Sequence, residues 1–187
     1  MNKDTKSVLR KKFLNLLRSQ KGEERIIKSK EIQKKLFSLK EFVEAKIILF
    51  YASFDGEVET FTMMKLAQKL GKRIALPRII KAHKKILPVL IADPDKDLAQ
   101  GPYGVQEPRA SLQPMERLED LDLVLVPGVV FDRNNNRLGR GVGYYDRFLA
   151  SLPPGIPTFG LAFDFQIIDS LPQQNRHDVA VSRVIFN

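Results

Sequence analysis

Residues 46–51 read Lys-Ile-Ile-Leu-Phe-Tyr. Five apolar or aromatic residues in a row, with no polar alternation, do not suit a strand that shows one face to water. They suit a strand buried on both faces, as in a parallel sheet with helices packed on each side. Downstream the same pattern recurs. Arg73–Leu76, Ile86–Ile91, Leu121–Val126 and Thr158–Ala162 are strand-like, and Val179–Phe186 reads as a closing strand. Between them, Thr60 is placed to cap a helix with Met63, Leu66, Ala67 and Leu70 on one face and Gly71 at its end. Another helix starts near Gly143, because Tyr145, Phe148, Leu149 and Leu152 keep the helical period. Upstream, two helices open the chain. In the first, Leu9, Phe13, Leu16 and Leu17 form one stripe, Asp4 or Thr5 is the expected cap, and Lys6 and Arg10 point together off the stripe. After Gly22, Glu23–Leu39 reads as the second, with Ile32, Leu36 and Leu39 inward. Strands alternating with helices predict one α/β domain over residues 1–187, its sheet covered on both faces.

Composition removes several classes of function. Cysteine is absent, which excludes disulfides and Cys-ligated metal sites. His83 and His177 are too few for a three-His metal site. Hydrophobic residues make up 43% of the 187, enough for a sizeable core. No run approaches the roughly 18 apolar residues of a membrane span, and residues 1–13 lack the apolar segment of a signal peptide. A cytoplasmic protein is therefore expected. The net charge of +9 is concentrated: residues 1–50 carry 14 Lys/Arg against 6 Asp/Glu, and residues 51–187 carry 17 against 16. A basic N-terminal segment is either a solvated helical surface or an anion site, and composition does not choose between them.

The densest segment is residues 126–149, VPGVVFDRNNNRLGRGVGYYDRFL. It contains neither a P-loop nor the dinucleotide fingerprint. Gly139, Gly141 and Gly143 alternate, leaving backbone N–H groups open to phosphate oxygens, and a helix N-terminus follows. Arg137 and Arg140 add planar cations suited to forked phosphate contacts. Asp146 lies in the helix's first turn, where it either holds Mg²⁺ against those phosphates or simply complements the helix dipole. The combination favours a phosphate site over a solvated glycine-rich connection. Just past the first buried strand, Asp55-Gly56-Glu57-Val58-Glu59-Thr60 lies where open α/β sheets bind ligands, although an acidic surface turn has the same composition. Glu57 is suited to the N–H groups of a heterocycle, because an ionised carboxylate only accepts. Asp178, taken alone, reads as a solvated loop residue. Ala92–Pro114, rich in Pro, Gly and Asp, is either a binding loop or a surface excursion.

Taken together, these segments resemble the 5-formyltetrahydrofolate cyclo-ligase family, also called methenyltetrahydrofolate synthetase. The resemblance centres on Pro127–Leu149 and extends through Lys6–Arg10, Glu57–Thr60, Gly104–Pro108, Ala162-Phe163 with Gln166, and His177-Asp178. It implies a Rossmann-like, mostly parallel sheet and an ATP- and Mg²⁺-dependent reaction. In that reaction 5-formyltetrahydrofolate becomes 5,10-methenyltetrahydrofolate, with release of ADP and phosphate. ATP phosphorylates the formyl oxygen, N10 attacks the activated carbon, and phosphate departs. By position, the resemblance implies that Lys6 and Arg10 hold ATP phosphates. It also implies that Arg137–Tyr145 wraps the nucleotide, with Arg140 and the three glycines nearest the γ-phosphate. Arg140 and Tyr145 are expected at the chemistry. Glu57 would anchor the pterin with Thr60 beside it, and Tyr144 and Tyr145 would border the folate. Asp146 and Asp178 would hold Mg²⁺ or its waters.

Two positions depart from the family's pattern. Val142 stands where many members carry Lys, and Asn135 stands where many carry Gly in a tight turn, a position Asn also tolerates. The expected partners are small molecules, including folates with a glutamate tail that Lys11 and Lys12 would attract; no nucleic acid or membrane partner is expected, and the oligomeric state is left open. Two other readings compete. A nucleic-acid module would need an aromatic-rich binding strand, which is missing. A phosphosugar isomerase would use the glycine segment without needing ATP.

Overall fold

Strand β1 (Ile47–Leu49) is buried at every position and has a strand on each side. The computed structural model describes residues 3–172 and 177–187. Helices α1 (Lys3–Ser19), α2 (Gly22–Phe37) and α3 (Lys40–Glu44) precede β1, and α4 (Phe61–Lys69), β2 (Arg73–Ile80) and β3 (Lys85–Ile91) follow it. Next come a hairpin of β4 (Leu98–Gln100) and β5 (Gln106–Pro108), then β6 (Leu123–Val126), β7 (Val130–Asp132) and β8 (Arg137–Leu138). The chain closes through α5 (Tyr144–Ser151), β9 (Thr158–Ala162), β10 (Ile167–Ile168) and β11 (Arg183–Phe186).

The main sheet runs β11-β9-β6-β1-β2-β3, parallel except for the antiparallel β3 at one edge. Counting only the parallel strands in chain order, the sequence across the sheet is 2-1-3-4-5. The winding therefore reverses between β1 and β6. Both faces are covered, as the apolar strands require. Ile48, Phe50, Ile74, Leu123 and Phe159 pack against Leu17, Ile32, Leu36, Phe42 and Met63 from α1–α4. On the other face, Leu49, Ala75, Val124 and Val126 pack against Phe148 and Leu149 of α5. A small sheet, β10-β7-β8, seats Phe13 of α1 against Val129, Val130 and Leu138. Among the described residues, no helix is long and apolar enough to cross a membrane.

Several local expectations are corrected. Helix α1 is already formed at Lys3, so Asp4 and Thr5 lie inside it rather than capping it. Its buried stripe runs through Phe13 and Leu17 with Leu14 alongside, leaving Leu16 exposed at the edge. Thr60 does not cap α4 with its side chain. Its hydroxyl donates to the Tyr51 carbonyl at 2.6 Å, and Glu59 accepts the Phe61 and Thr62 N–H groups at 2.8 and 3.2 Å. Leu70 is exposed, while Met64 takes the inward place. Strand β2 continues to Ile80 because β3 pairs with it in antiparallel register as far as Ile80↔Lys85. Asn135 has φ +62° in the turn where that conformation was expected. The turn is organised by Asp132, whose carboxylate accepts from the Asn134, Asn136 and Leu171 backbone and from the Asn136 side chain. Burial pushes the Asp132 carboxyl up, but these bonds outweigh it and hold it below the usual carboxylate range.

The Phe131 ring lies against two backbones that tolerate no side chain. A Cβ at Gly128 would come within 2.4 Å of the ring and one at Gly160 within 2.5 Å. Phe131 is fully buried, so the ring has little room to yield. Gly160→Ala is therefore expected to lower unfolding free energy by about 1–3 kcal/mol, measured by urea denaturation.

Candidate active site

A cavity of about 960 Å³ opens at the C-terminal ends of β1 and β6, at the reversal of the winding. Segments from several parts of the chain wall it. The loop after β1 contributes Phe54, Asp55 and Glu57, and the turn after β6 contributes Pro127 and Gly128. Residues 137–146 form a strap, and α1 contributes Lys6, Arg10 and Arg18. The far wall is Pro77 and Ile79 of β2 with residues 102–107.

The strap takes its shape from its glycines. Gly141 has φ +102° and Gly143 φ +74°, which L side chains rarely adopt. Gly143 leads directly into α5, so backbone N–H groups of the strap and the first turn of α5 lie together at the cavity. Arg10 braces the strap from α1, its Nε donating to the Gly139 carbonyl at 2.9 Å.

Arg140 joins the strap to the loop after β1. It donates to Asp55 Oδ2 at 2.9 Å and to Glu57 Oε1 at 3.1 Å, and its guanidinium lies 4.0 Å from the Phe54 ring centroid. Asp55 and Gly56 both have positive φ, and the Glu57 N–H donates back to the Phe54 carbonyl at 3.1 Å. An Asp-Gly pair in such a tight turn brings the two carboxylates to one cation. Glu57 is buried, which pushes its carboxyl up to about 7, against the opposing pull of Arg140 and the Phe54 N–H. Asp55 is held below the usual range, first by the hydrogen bond from Arg18 and then by Arg140, against its partial burial.

Arg137 behaves differently from Arg140. Its side chain is 3% exposed and donates to Asp146 Oδ1 at 2.7 Å, tying β8 to the first turn of α5. Among the described residues, Oδ2 of Asp146 accepts no hydrogen bond. Lys6 pairs with Asp178 at 2.7 Å. Among the described residues the buried Tyr145 hydroxyl has no partner; burial, reinforced by the Glu57 charge, pushes its pKa far up, so it keeps its proton. Tyr144 faces Tyr103 with hydroxyls 3.4 Å apart.

Every site residue expected from the sequence lines this cavity except Thr60, which is fully buried with its hydroxyl on Tyr51. Lys11 and Lys12 are exposed and stand outside the lining. Among the described residues no cluster of three or more His, Asp or Glu forms a ready metal cage. Mg²⁺ does not require one, since it binds through one or two carboxylates plus phosphates. Sequence reasoning missed Arg18, which donates to both oxygens of Asp55 at 2.7 and 2.9 Å. It also assigned no role to Tyr103 or to the buried Glu107, whose Oε1 has no partner among the described residues. The Pro-Tyr-Gly turn inside the long loop was the available signal for Tyr103; nothing local marked Arg18.

A sequence profile of the 5-formyltetrahydrofolate cyclo-ligase family matches residues 2–187. The 5-formyltetrahydrofolate cyclo-ligase of Haemophilus influenzae is 36% identical over 71% of this chain and 71% of its own length. A probable 5-formyltetrahydrofolate cyclo-ligase of Caenorhabditis elegans is 32% identical over 98% of this chain and 93% of its own. The NMR structure of Aquifex aeolicus 5,10-methenyltetrahydrofolate synthetase superposes with a TM-score of 0.84 at 32% identity, covering 97% of this chain and 89% of that one.

The raised Glu57 pKa has a consequence for stability. Unfolded, the carboxyl ionises near 4.5; folded, it holds its proton until about pH 7. Between these values the native chain binds the extra proton, so this contribution to stability is full at low pH and is lost as pH rises toward 7. Relative to Glu57→Gln, the wild-type chain should lose up to about 3 kcal/mol between pH 4.5 and 7.5, read by denaturant titration at each pH.

Proposed function

The chain belongs to the 5-formyltetrahydrofolate cyclo-ligase family, and we propose that the cavity between β1 and β6 is where it binds both of its substrates. The enzyme converts 5-formyltetrahydrofolate to 5,10-methenyltetrahydrofolate in an ATP-dependent reaction. We read residues 1–187 as one catalytic unit. The observation that carries the site assignment is convergence: the glycine strap, the cations of α1, the Glu57–Arg140 pair and the tyrosines all line one cavity.

The chemistry sets the requirements. An N-formyl oxygen is an amide oxygen and leaves poorly, so it first takes the γ-phosphoryl group as the bond from phosphorus to ADP breaks. N10 then attacks the formyl carbon, loses its proton, and the carbon–oxygen bond breaks to release phosphate. Such a transfer is accelerated mainly by positioning and by neutralising charge on the moving phosphoryl group. In our reading, the N–H groups of the strap and Lys6 and Arg10 hold the phosphates. Arg140 supplies a cation beside the transferred group, and the Tyr145 hydroxyl donates its unshared proton to a ligand oxygen. Glu57, ionised above pH 7 beside Arg140, accepts N–H groups of the pterin, and Tyr144 and Tyr145 flank the folate. Arg137 acts through Asp146, holding the first turn of α5 in place.

Asp146 and Asp178 are hard oxygen donors on the cavity wall, and the free Oδ2 of Asp146 suits Mg²⁺. When bound, Mg²⁺ would offset phosphate charge.

Purified protein with 5-formyltetrahydrofolate and Mg²⁺ should show the near-ultraviolet absorbance rise of methenyltetrahydrofolate only when ATP is present. No rise from folded protein would contradict the ATP-dependent conversion. Arg140→Ala should lower kcat/KM by about 10²–10³-fold with the fold retained by circular dichroism. Asp146→Asn should raise the Mg²⁺ concentration needed for half-maximal rate; an unchanged Mg²⁺ titration would remove Asp146 from the metal site.

A further inference from the structure

Arg140 is not positioned by the strap alone. Its NH1 shares Asp55 Oδ2 with Arg18, which holds both Asp55 oxygens in a fork of 2.7 and 2.9 Å. Forked contacts fix direction as well as distance. Asp55 sits at φ +53°, and the Gly56 backbone beside it is pressed on the end of α1: a Cβ there would lie 2.1 Å from the Leu17 carbonyl oxygen. Gln20 on the same end donates to the Gly56 carbonyl at 3.0 Å. The last turn of α1 and the loop after β1 therefore form one joint, with Arg18 and Asp55 at its centre.

We infer that Asp55, clamped by Arg18, is a positioning residue for Arg140. The pair aims the guanidinium at the transferred phosphoryl group and shares its charge with Glu57. This inference rests on the role proposed for Arg140 above. Arg18 itself is more than half exposed, and ion pairs of that kind contribute little to stability. Its fork on Asp55 is better explained by what it holds than by what it adds to folding.

The test is a set of variants on the full chain: Asp55→Asn, Arg18→Ala, Arg18→Lys, Arg140→Ala and the Asp55→Asn/Arg140→Ala double variant. Asn is well tolerated at positive φ, so Asp55→Asn removes charge while keeping the turn. Asp55→Asn and Arg18→Ala should each lower kcat about tenfold, with KM for 5-formyltetrahydrofolate and the melting temperature little changed. Arg18→Lys, which keeps the charge but loses the fork, should recover only part of the rate. In the double variant the Asp55→Asn loss should vanish, because its effect passes through Arg140. Independently of turnover, the ¹⁵N heteronuclear NOE of the Arg140 Nε–H group in ligand-free protein should fall in Asp55→Asn and Arg18→Ala. Unchanged kcat in both single variants, losses that multiply in the double variant, or an unchanged NOE would each overturn the inference. If Arg140→Ala turns over like wild type, the catalytic role of Arg140 fails instead, and the NOE alone still decides whether Asp55 positions it.

Discussion

One guanidinium shared between two carboxylates decides most of what this site can be. Glu57 is buried, and an ionised carboxylate in that position is costly without a cation against it. Arg140 supplies the cation from the strap, 83 residues further along the chain, and thereby fixes the strap against the loop after β1. The same contact brings Asp55 and Arg18 into register, so α1 is tied to the site at its far end. At its near end Arg10 holds the Gly139 carbonyl and Lys6 holds Asp178. Removing Arg140 would leave a buried acid without its cation and a strap braced on one side only.

The position of the cavity follows from the winding of the sheet. A parallel sheet whose connections reverse direction between β1 and β6 leaves a crevice at the C-terminal ends of those strands, because the chain departs to opposite faces there. Loops leaving β1 and β6 must line that crevice. The basic character of the N-terminus then takes on a specific meaning. Lys6, Arg10 and Arg18 reach the cavity wall, while Lys11 and Lys12 face solvent. Part of the charge excess belongs to the site, and part is ordinary helical surface.

Much of this was legible in the residues themselves. The apolar runs at 47–50, 123–126 and 158–162 can be buried on both faces only between helices, which is why the sheet and its two layers were readable. The glycines of the strap were readable because positive φ at Gly141 and Gly143 is a backbone requirement that few other residues meet. What escaped depended on tertiary pairing. Thr60 has the composition of a cap, yet the Tyr51 carbonyl claims its hydroxyl and Glu59 serves the first-turn amides. Arg18 looks like one more solvated cation until the fold sets it on Asp55, 37 residues away. The orphaned oxygen of Glu107 is likewise invisible to any local pattern, since it arises from the way β5 lies against β2.

In the proposed arrangement the nucleotide phosphates lie on the strap. Amide hydrogen exchange with and without a saturating non-hydrolysable ATP analogue tests it at single-residue level. The N–H groups of Gly139, Gly141, Val142 and Gly143 should slow markedly when the analogue binds. Unchanged exchange at all four, with the analogue demonstrably bound, would place the nucleotide elsewhere and contradict the site described here.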